Sequence, residues 1–220
     1  MNLIKVLKSS FACCVLFLGF ILVVNFKSAN FITKKTSKEL SNFQDGDIVF
    51  QINESGQGKA IQLATHSKYT HCGVLFKENN KYVVYEAVQP VKKTPLSEWV
   101  KYGENNFYEV KRLKKPSSIS AVEISKMKKK YLEYEGKNYD LYFGWSDDKI
   151  YCSELVWKLY KESTGLEIGK LQKLKEFDLS HPAVKAKLKE RYGNNIPYEE
   201  LVISPAALFE SELLESVSLH

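Results

Sequence analysis

The chain has 220 residues, of which 44% are hydrophobic and 26% are charged. This length and composition suit one globular domain with a buried core and exclude an intrinsically disordered chain. The formal net charge is +6, and three of the lysines, Lys5, Lys8 and Lys27, lie in the first 29 residues, which contain no acid. Removal of those three charges would leave a net charge of +3, which gives no support for nucleic-acid binding.

The N-terminal segment has the pattern of an export signal. Its basic start precedes an uncharged, largely apolar run over residues 9–26, and small residues follow near Ala29. This order is typical of a secretory signal segment, so we expect export to the periplasm or cell envelope. Cleavage near Ala29 and retention as a membrane anchor both remain open, and a buried core helix is the alternative. We therefore assign residues 1–29 to a signal peptide or N-terminal anchor and residues 30–220 to a single catalytic domain.

The remaining chain alternates strand-like and helical patterns. A first strand is predicted at 48–52 and a short helix at 59–65, followed by a hairpin with strands at 70–76 and 82–88. Further helices are predicted at 117–134, from about Cys152 to Gly165, at 182–192 and from Ser204-Pro205, with an extended aromatic run at 139–145. This mixture predicts an α+β fold.

Cys152 is the first candidate for chemistry. A thiol at the start of a helix lies at the positive end of the helix dipole, which lowers its pKa and favours the nucleophilic thiolate. The N–H groups of the first turn have no partners within the helix, so one of them can stabilise an oxyanion beside the sulfur. The alternative is a buried cysteine that acts only as a small apolar residue.

His71 and Glu86 supply a candidate base and its orienting group. If Glu78-Asn79 form the hairpin turn, His71 and Glu86 lie directly opposite each other on one face of the sheet. A carboxylate there can hold one imidazole nitrogen and leave the other for a thiol. An exposed His–Glu pair without a catalytic role is the alternative.

Cys72 and His66 are the competing candidates. Successive side chains of a strand point to opposite faces, so we expect Cys72 to face away from His71 and to belong to the core; a Cys72–Cys152 disulfide is the alternative. We interpret His66 as a polar residue at a helix end. A zinc site formed by His66, His71 and the cysteines fits no regular ligand spacing, and we expect neither a metal nor another cofactor.

Several short motifs, taken in order, resemble the YiiX/YaeF family of circularly permuted papain-like enzymes in the NlpC-type superfamily. The resemblance extends from about residue 44 to 209 and rests on GDIVFQ at 46–51, KAIQLATHS at 59–67, YTHCG at 69–73, EA at 86–87, WSDD at 145–148, YCSE at 151–154 and LKEFDLS at 174–180. Each motif is short, but their joint order is specific. Cys72 is a departure, because we expect a non-cysteine residue there in the family.

The resemblance implies a permuted papain-like fold, with an antiparallel sheet or small barrel packed against helices. It implies Cys152 as nucleophile, His71 as base and acid, and Glu86 as the third member of the set. It also implies amidase or peptidase chemistry, or acyl transfer, on lipid-like or peptide substrates of the cell envelope. The alternative function is an envelope protein that binds lipid or peptide and has a vestigial site. Lysine-rich runs at 111–115 and 126–130 are solvated faces or a contact with an anionic membrane surface.

Overall fold

The protein is described here by a computed structural model that covers residues 42–53, 55–115 and 118–219. Gln44–His220 form one compact unit. The predicted signal peptide or anchor at 1–29, and the start of the catalytic domain at residue 30, lie outside the described residues. Across the described ranges we find no helix with the length and apolar character needed to cross a membrane.

A six-stranded antiparallel sheet forms the centre of this unit. Its strands are β1 (Ile48–Gln51), β2 (His71–Glu78), β3 (Lys81–Glu86), β4 (Lys92–Pro95), β5 (Tyr108–Leu113) and β10 (Leu214–Leu219). Their order across the sheet is β10-β5-β1-β2-β3-β4, so β1 and β2 are central. Two small ladders lie outside this sheet and are formed by β6 (Asn138–Tyr139) with β7 (Lys149–Ile150), and β8 (Gln172–Lys173) with β9 (Leu201–Val202).

The helices lie between the strands in the chain, and several of them begin at a side-chain cap. They are α1 (Gly56–Thr65), α2 (Leu96–Trp99), α3 (Ala121–Tyr131), α4 (Cys152–Thr164), α5 (Pro182–Tyr192) and α6 (Pro205–Phe209). The Ser55 hydroxyl accepts the N–H of Gly58 at the start of α1, and Ser120 forms a capping box with Glu123 at the start of α3. These contacts satisfy N–H groups that have no partner within the helix. Each predicted helix is present, although α3 is shorter than the predicted 117–134.

The segment after Tyr139 differs from the extended run that was predicted. The Asp140 carboxylate accepts the N–H groups of Tyr142 and Gly144, each at 2.8 Å, and so bends the chain back on itself. Phe143 consequently has a positive φ of 51°. Only Tyr139 remains in a strand, because the carboxylate competes with a strand ladder for these N–H groups.

Helix α4 lies against β2 and α3 and is almost entirely buried. Leu155, Val156 and Leu159 belong to the same core cluster as Val74 and Phe76 of β2. Burial of each such side chain contributes about 1.5–3 kcal/mol relative to an exposed position. This packing holds the first turn of α4 against the first residues of β2, where His71 and Cys72 lie. The observed architecture is the predicted α+β class.

Candidate active site

Cys152 is the first residue of α4, and its side chain is buried. Two contacts with the chain around Ile203 fix this turn. The Ser153 hydroxyl donates to the carbonyl of Ile203 at 2.8 Å, and the N–H of Ile203 donates to the Tyr151 hydroxyl at 3.1 Å. The helix start places the thiol at the positive end of the dipole, as the sequence predicts.

The β2–β3 hairpin turns one residue later than predicted. Asn79 and Asn80 form the turn with φ values of 48° and 63°, and Glu78 pairs with Lys81. Left-handed backbone conformations are tolerated by asparagine more readily than by most side chains, which favours this position for the turn. The predicted direct opposition of His71 and Glu86 is therefore wrong.

His71 and Glu86 nevertheless meet, because the later turn moves the pairing by two residues and so preserves the face of each side chain. Continuation of the register places Glu86 opposite Gly73, and a Cβ on Gly73 would lie 3.4 Å from the Cβ of Glu86. Nε2 of His71 lies 2.6 Å from Oε2 of Glu86 in a diagonal contact. Because Gly73 has no side chain, the space beside Glu86 is free for its contact with His71.

Two further groups, which the sequence did not reveal, hold the Glu86 carboxylate. The Thr94 hydroxyl donates to Oε1 at 2.5 Å, and the Trp99 indole N–H donates to Oε2 at 2.9 Å. Burial raises the pKa of Glu86, but the contact with His71 and these two donors outweigh burial, and the net pKa is lowered. Glu86 is therefore an ionised, fully hydrogen-bonded carboxylate.

His71 and Cys152 form a second contact, which perturbs both groups. The contact with Glu86 occupies Nε2 and leaves Nδ1 for the sulfur. Burial lowers the pKa of His71, but its hydrogen bonds with Cys152 and Glu86 raise the pKa to about 10. The pKa of Cys152 falls well below its ordinary value. The neighbouring Cys72 lowers it most, and His71 lowers it further; together they outweigh burial, which raises it. These shifts favour the thiolate and imidazolium over the neutral thiol and imidazole.

Cys72 does not face away from Cys152 as predicted. Cys72 belongs to the same core cluster as Cys152, and its thiol and backbone N–H both lower the pKa of Cys152. The β2–β3 ladder ends at Val74 and Tyr85, so the N–H of Cys72 can donate to the sulfur instead of to β3. Two neighbouring residues of β2, His71 and Cys72, therefore both influence the Cys152 sulfur. Both cysteines are free thiols, and the alternative of a disulfide is wrong.

Tyr139 is a further site residue that the sequence did not single out, because its aromatic run also suits a core segment. Its hydroxyl lies 4.0 Å from the sulfur of Cys152 and accepts a hydrogen bond from Nε2 of Gln57 at 3.1 Å. The pKa of Tyr139 is raised well above 10.0, mainly by burial and then by the neighbouring sulfur. The hydroxyl therefore keeps its proton. It is a neutral donor beside the thiolate.

His66 lies away from this set. It ends α1 in a left-handed conformation, and its Nε2 is 3.1 Å from Oδ2 of Asp178. This agrees with the interpretation of His66 as a helix-end residue. The part of the chain that the structure describes contains no group of three His, Cys, Asp or Glu side chains that could hold a metal ion.

A largely apolar cavity opens beside Cys152. It lies between α1, α5, the first turn of α4 and the chain that follows β9. Its apolar walls include Ala60, Ile61, Phe177, Leu179, Val184 and Leu188. The reactive sulfur is thus reached from a space suited to an apolar group.

Comparisons with known proteins identify the family of this chain. Residues 42–218 match the family model for the permuted papain-like amidase enzyme, YaeF/YiiX, C92 family. The uncharacterized protein YiiX of Escherichia coli strain K12 is 53% identical over 175 residues, which are 80% of this chain and 86% of that protein.

A solved structure has the same fold. It is titled the crystal structure of metalloprotein yiiX from Escherichia coli O157:H7, is 52% identical, and aligns with a TM-score of 0.77 over 80% of this chain and 97% of that chain. The metal in that title belongs to that protein. The family description supports a cysteine hydrolase in general. The chain belongs to the YaeF/YiiX, C92 family of permuted papain-like amidases.

Proposed function

We propose that this protein is an exported amidase in which Cys152 is the nucleophile, His71 the general base and acid, and Glu86 the group that orients His71. The observation that supports this proposal most strongly is the 2.6 Å contact between His71 and Glu86 beside a thiol at a helix start. A protein that only bound lipid or peptide would need neither a polarised thiol nor a buried carboxylate to orient a histidine, which is why hydrolysis is favoured.

The reaction proceeds through an acyl-enzyme. The Cys152 thiolate attacks the carbonyl carbon of an amide or ester and forms a C–S bond, while the carbonyl oxygen becomes an oxyanion. Backbone N–H groups at the start of α4 stabilise that oxyanion. The His71 imidazolium gives its proton to the leaving nitrogen or oxygen as the C–N or C–O bond breaks. His71 then takes a proton from water as the water oxygen attacks the thioester carbonyl. The C–S bond breaks, the carboxylic acid is released, and the Cys152 thiolate and His71 imidazolium are restored.

The apolar cavity beside Cys152 supports a substrate that carries an apolar, lipid-like group near the scissile bond. The export pattern at residues 1–29 supports a substrate in the cell envelope, and contact with a membrane surface is part of this proposal. Transfer of the acyl group to an acceptor other than water uses the same steps until the thioester is cleaved.

Alkylation of Cys152 tests the assignment without knowledge of the substrate. We expect iodoacetamide to modify the peptide that contains Cys152 rapidly at pH 6.5, and His71→Ala to slow this reaction. Loss of one charge-assisted hydrogen bond is worth about 1.5–3 kcal/mol, which corresponds to a roughly 10- to 100-fold lower rate. His66→Ala is the matched control and should leave the rate unchanged, since His66 contacts Asp178 and not the sulfur. Equal labelling of the wild type and His71→Ala would refute the pairing.

A further inference from the structure

The cavity beside Cys152 has an asymmetric distribution of charge. Lys187 and Arg191 of α5 line it, and none of the described lining residues is an acid. The two cations differ in their surroundings. Nζ of Lys187 lies 2.7 Å from Oε2 of Glu190 on the same helix, so its charge is already compensated. Arg191 is therefore the group to consider.

Arg191 is held in place but is not neutralised. One N–H of its guanidinium donates to Oε1 of Gln57 at 2.7 Å, and the guanidinium carbon lies 4.9 Å from the centre of the Phe143 ring. Within the described ranges no carboxylate lies within 4 Å of it. A guanidinium has five N–H donors in a planar fork, so several remain for a ligand. A fixed cation on an apolar wall without a partner carboxylate is suited to an anionic group.

A chain of contacts connects Arg191 with the reactive sulfur. Gln57 accepts from Arg191 through Oε1 and donates to the Tyr139 hydroxyl through Nε2, at 3.1 Å. That hydroxyl lies 4.0 Å from the sulfur of Cys152. An anion bound to Arg191 would thus lie on the same wall of the cavity as Cys152, with the apolar side chains beside it.

We propose that Arg191 determines specificity by binding an anionic group of the substrate, so that the preferred substrate is an anionic amphiphile: an amide or ester with an apolar group and a nearby carboxylate or phosphate. This inference rests on the proposed function and names the class of substrate for the same site. The Arg191 fork binds the anion, the apolar walls bind the chain, and Gln57 aligns the guanidinium with the sulfur.

Protection of Cys152 from iodoacetamide provides the test, with decanoate, decyl phosphate and the neutral decanamide as probes on the full chain. We expect decanoate or decyl phosphate to halve the labelling rate at a concentration roughly tenfold lower than decanamide does, because a charge-assisted contact with Arg191 is added. The more effective of the two anions identifies the preferred group. Each variant is compared with its own unprotected rate, so a change in the sulfur itself does not affect the result.

The variants Arg191→Gln and Lys189→Gln remove the same charge from the same helix. Lys189 is exposed and does not line the cavity, so its variant should keep the preference for anions. Arg191→Gln should lose that preference, and Arg191→Lys should retain part of it. Equal protection by decanoate, decyl phosphate and decanamide in the wild type would overturn the inference, as would equal loss in both glutamine variants. The unprotected rate and its dependence on His71 test the proposed function separately.

Discussion

Replacement of Glu86 by glutamine isolates the contribution of its charge to the Cys152 thiolate. The carboxylate accepts from three groups: His71 at 2.6 Å, Thr94 at 2.5 Å and Trp99 at 2.9 Å. An amide offers one acceptor oxygen and directs two N–H donors at the remaining donors. The variant thus loses both the negative charge beside the imidazolium and part of the acceptor capacity that holds the ring.

The size of the effect follows from the contact between the carboxylate and the imidazolium. A hydrogen bond to a charged group contributes about 1.5–3 kcal/mol, which corresponds to a shift of about 1–2 units in the pKa of His71. Because the pKa of His71 is about 10 in the wild type, the same shift would bring it to about 8–9 in the variant. We therefore expect the inflection that His71 produces in the pH profile of Cys152 alkylation to move down by about 1–2 pH units.

The assay is the rate of iodoacetamide labelling of the Cys152 peptide, measured across pH. Glu78→Gln is the matched control, because Glu78 lies on the same hairpin but contacts Tyr85 and Lys93 instead of the site. A Glu86→Gln inflection at the same pH as that of the wild type would show that the carboxylate does not stabilise the charged pair. A similar shift in Glu78→Gln would show that the hairpin as a whole, and not this charge, is responsible.

Two further predictions concern stability. Gly73→Ala should lower the free energy of unfolding by about 1–3 kcal/mol in urea denaturation, because its Cβ would lie 2.9 Å from the carbonyl oxygen of Tyr85; Gly56→Ala, where no atom lies within 4 Å, is the control, and equal loss in both would contradict this reasoning. The His71–Cys152 pair should stabilise the fold most between pH 6.5 and 9.0. Its contribution declines in acid, because the pKa of folded Cys152 is below 9.0, and above pH 9.0, because folded His71 holds its proton to about pH 10. The difference in unfolding free energy between the wild type and the double variant His71→Ala, Cys152→Ala measures this profile, and a maximum outside the window would refute it.

Much of the fold was predictable because local sequence signals, such as helical spacing and caps, agree with the tertiary structure. Helix α4 combines a helical spacing of Leu155, Val156 and Leu159 with a terminal Gly165 in the left-handed conformation, and both signals are visible in the sequence. The caps at Ser120 and Ser204 are similarly local. The bend after Tyr139 was not predictable, because strand-forming aromatic residues compete there with one carboxylate, and composition does not reveal which prevails.

The candidate site was predictable in its membership but not in its geometry. Cys152, His71 and Glu86 were expected together, and the structure brings them together. Thr94, Trp99 and Tyr139 were not expected, since they reach the site from β4, α2 and β6 through tertiary packing. Nothing in the spacing of residues on different elements encodes these contacts.

The two errors in the predicted site arise at the two ends of the β2–β3 ladder. The turn lies at Asn79 and Asn80 instead of Glu78 and Asn79, which removes the direct opposition of His71 and Glu86. The prediction also assumed a regular ladder that extends to His71, which would direct Cys72 away from the site. The ladder instead ends at Val74 and Tyr85, before Cys72, and the thiol and backbone N–H of Cys72 lower the pKa of Cys152. A regular ladder would use that N–H for β3 and leave less stabilisation for a thiolate. The early end of the ladder, which the strand alternation did not predict, therefore also leaves the N–H of Cys72 to stabilise the Cys152 thiolate.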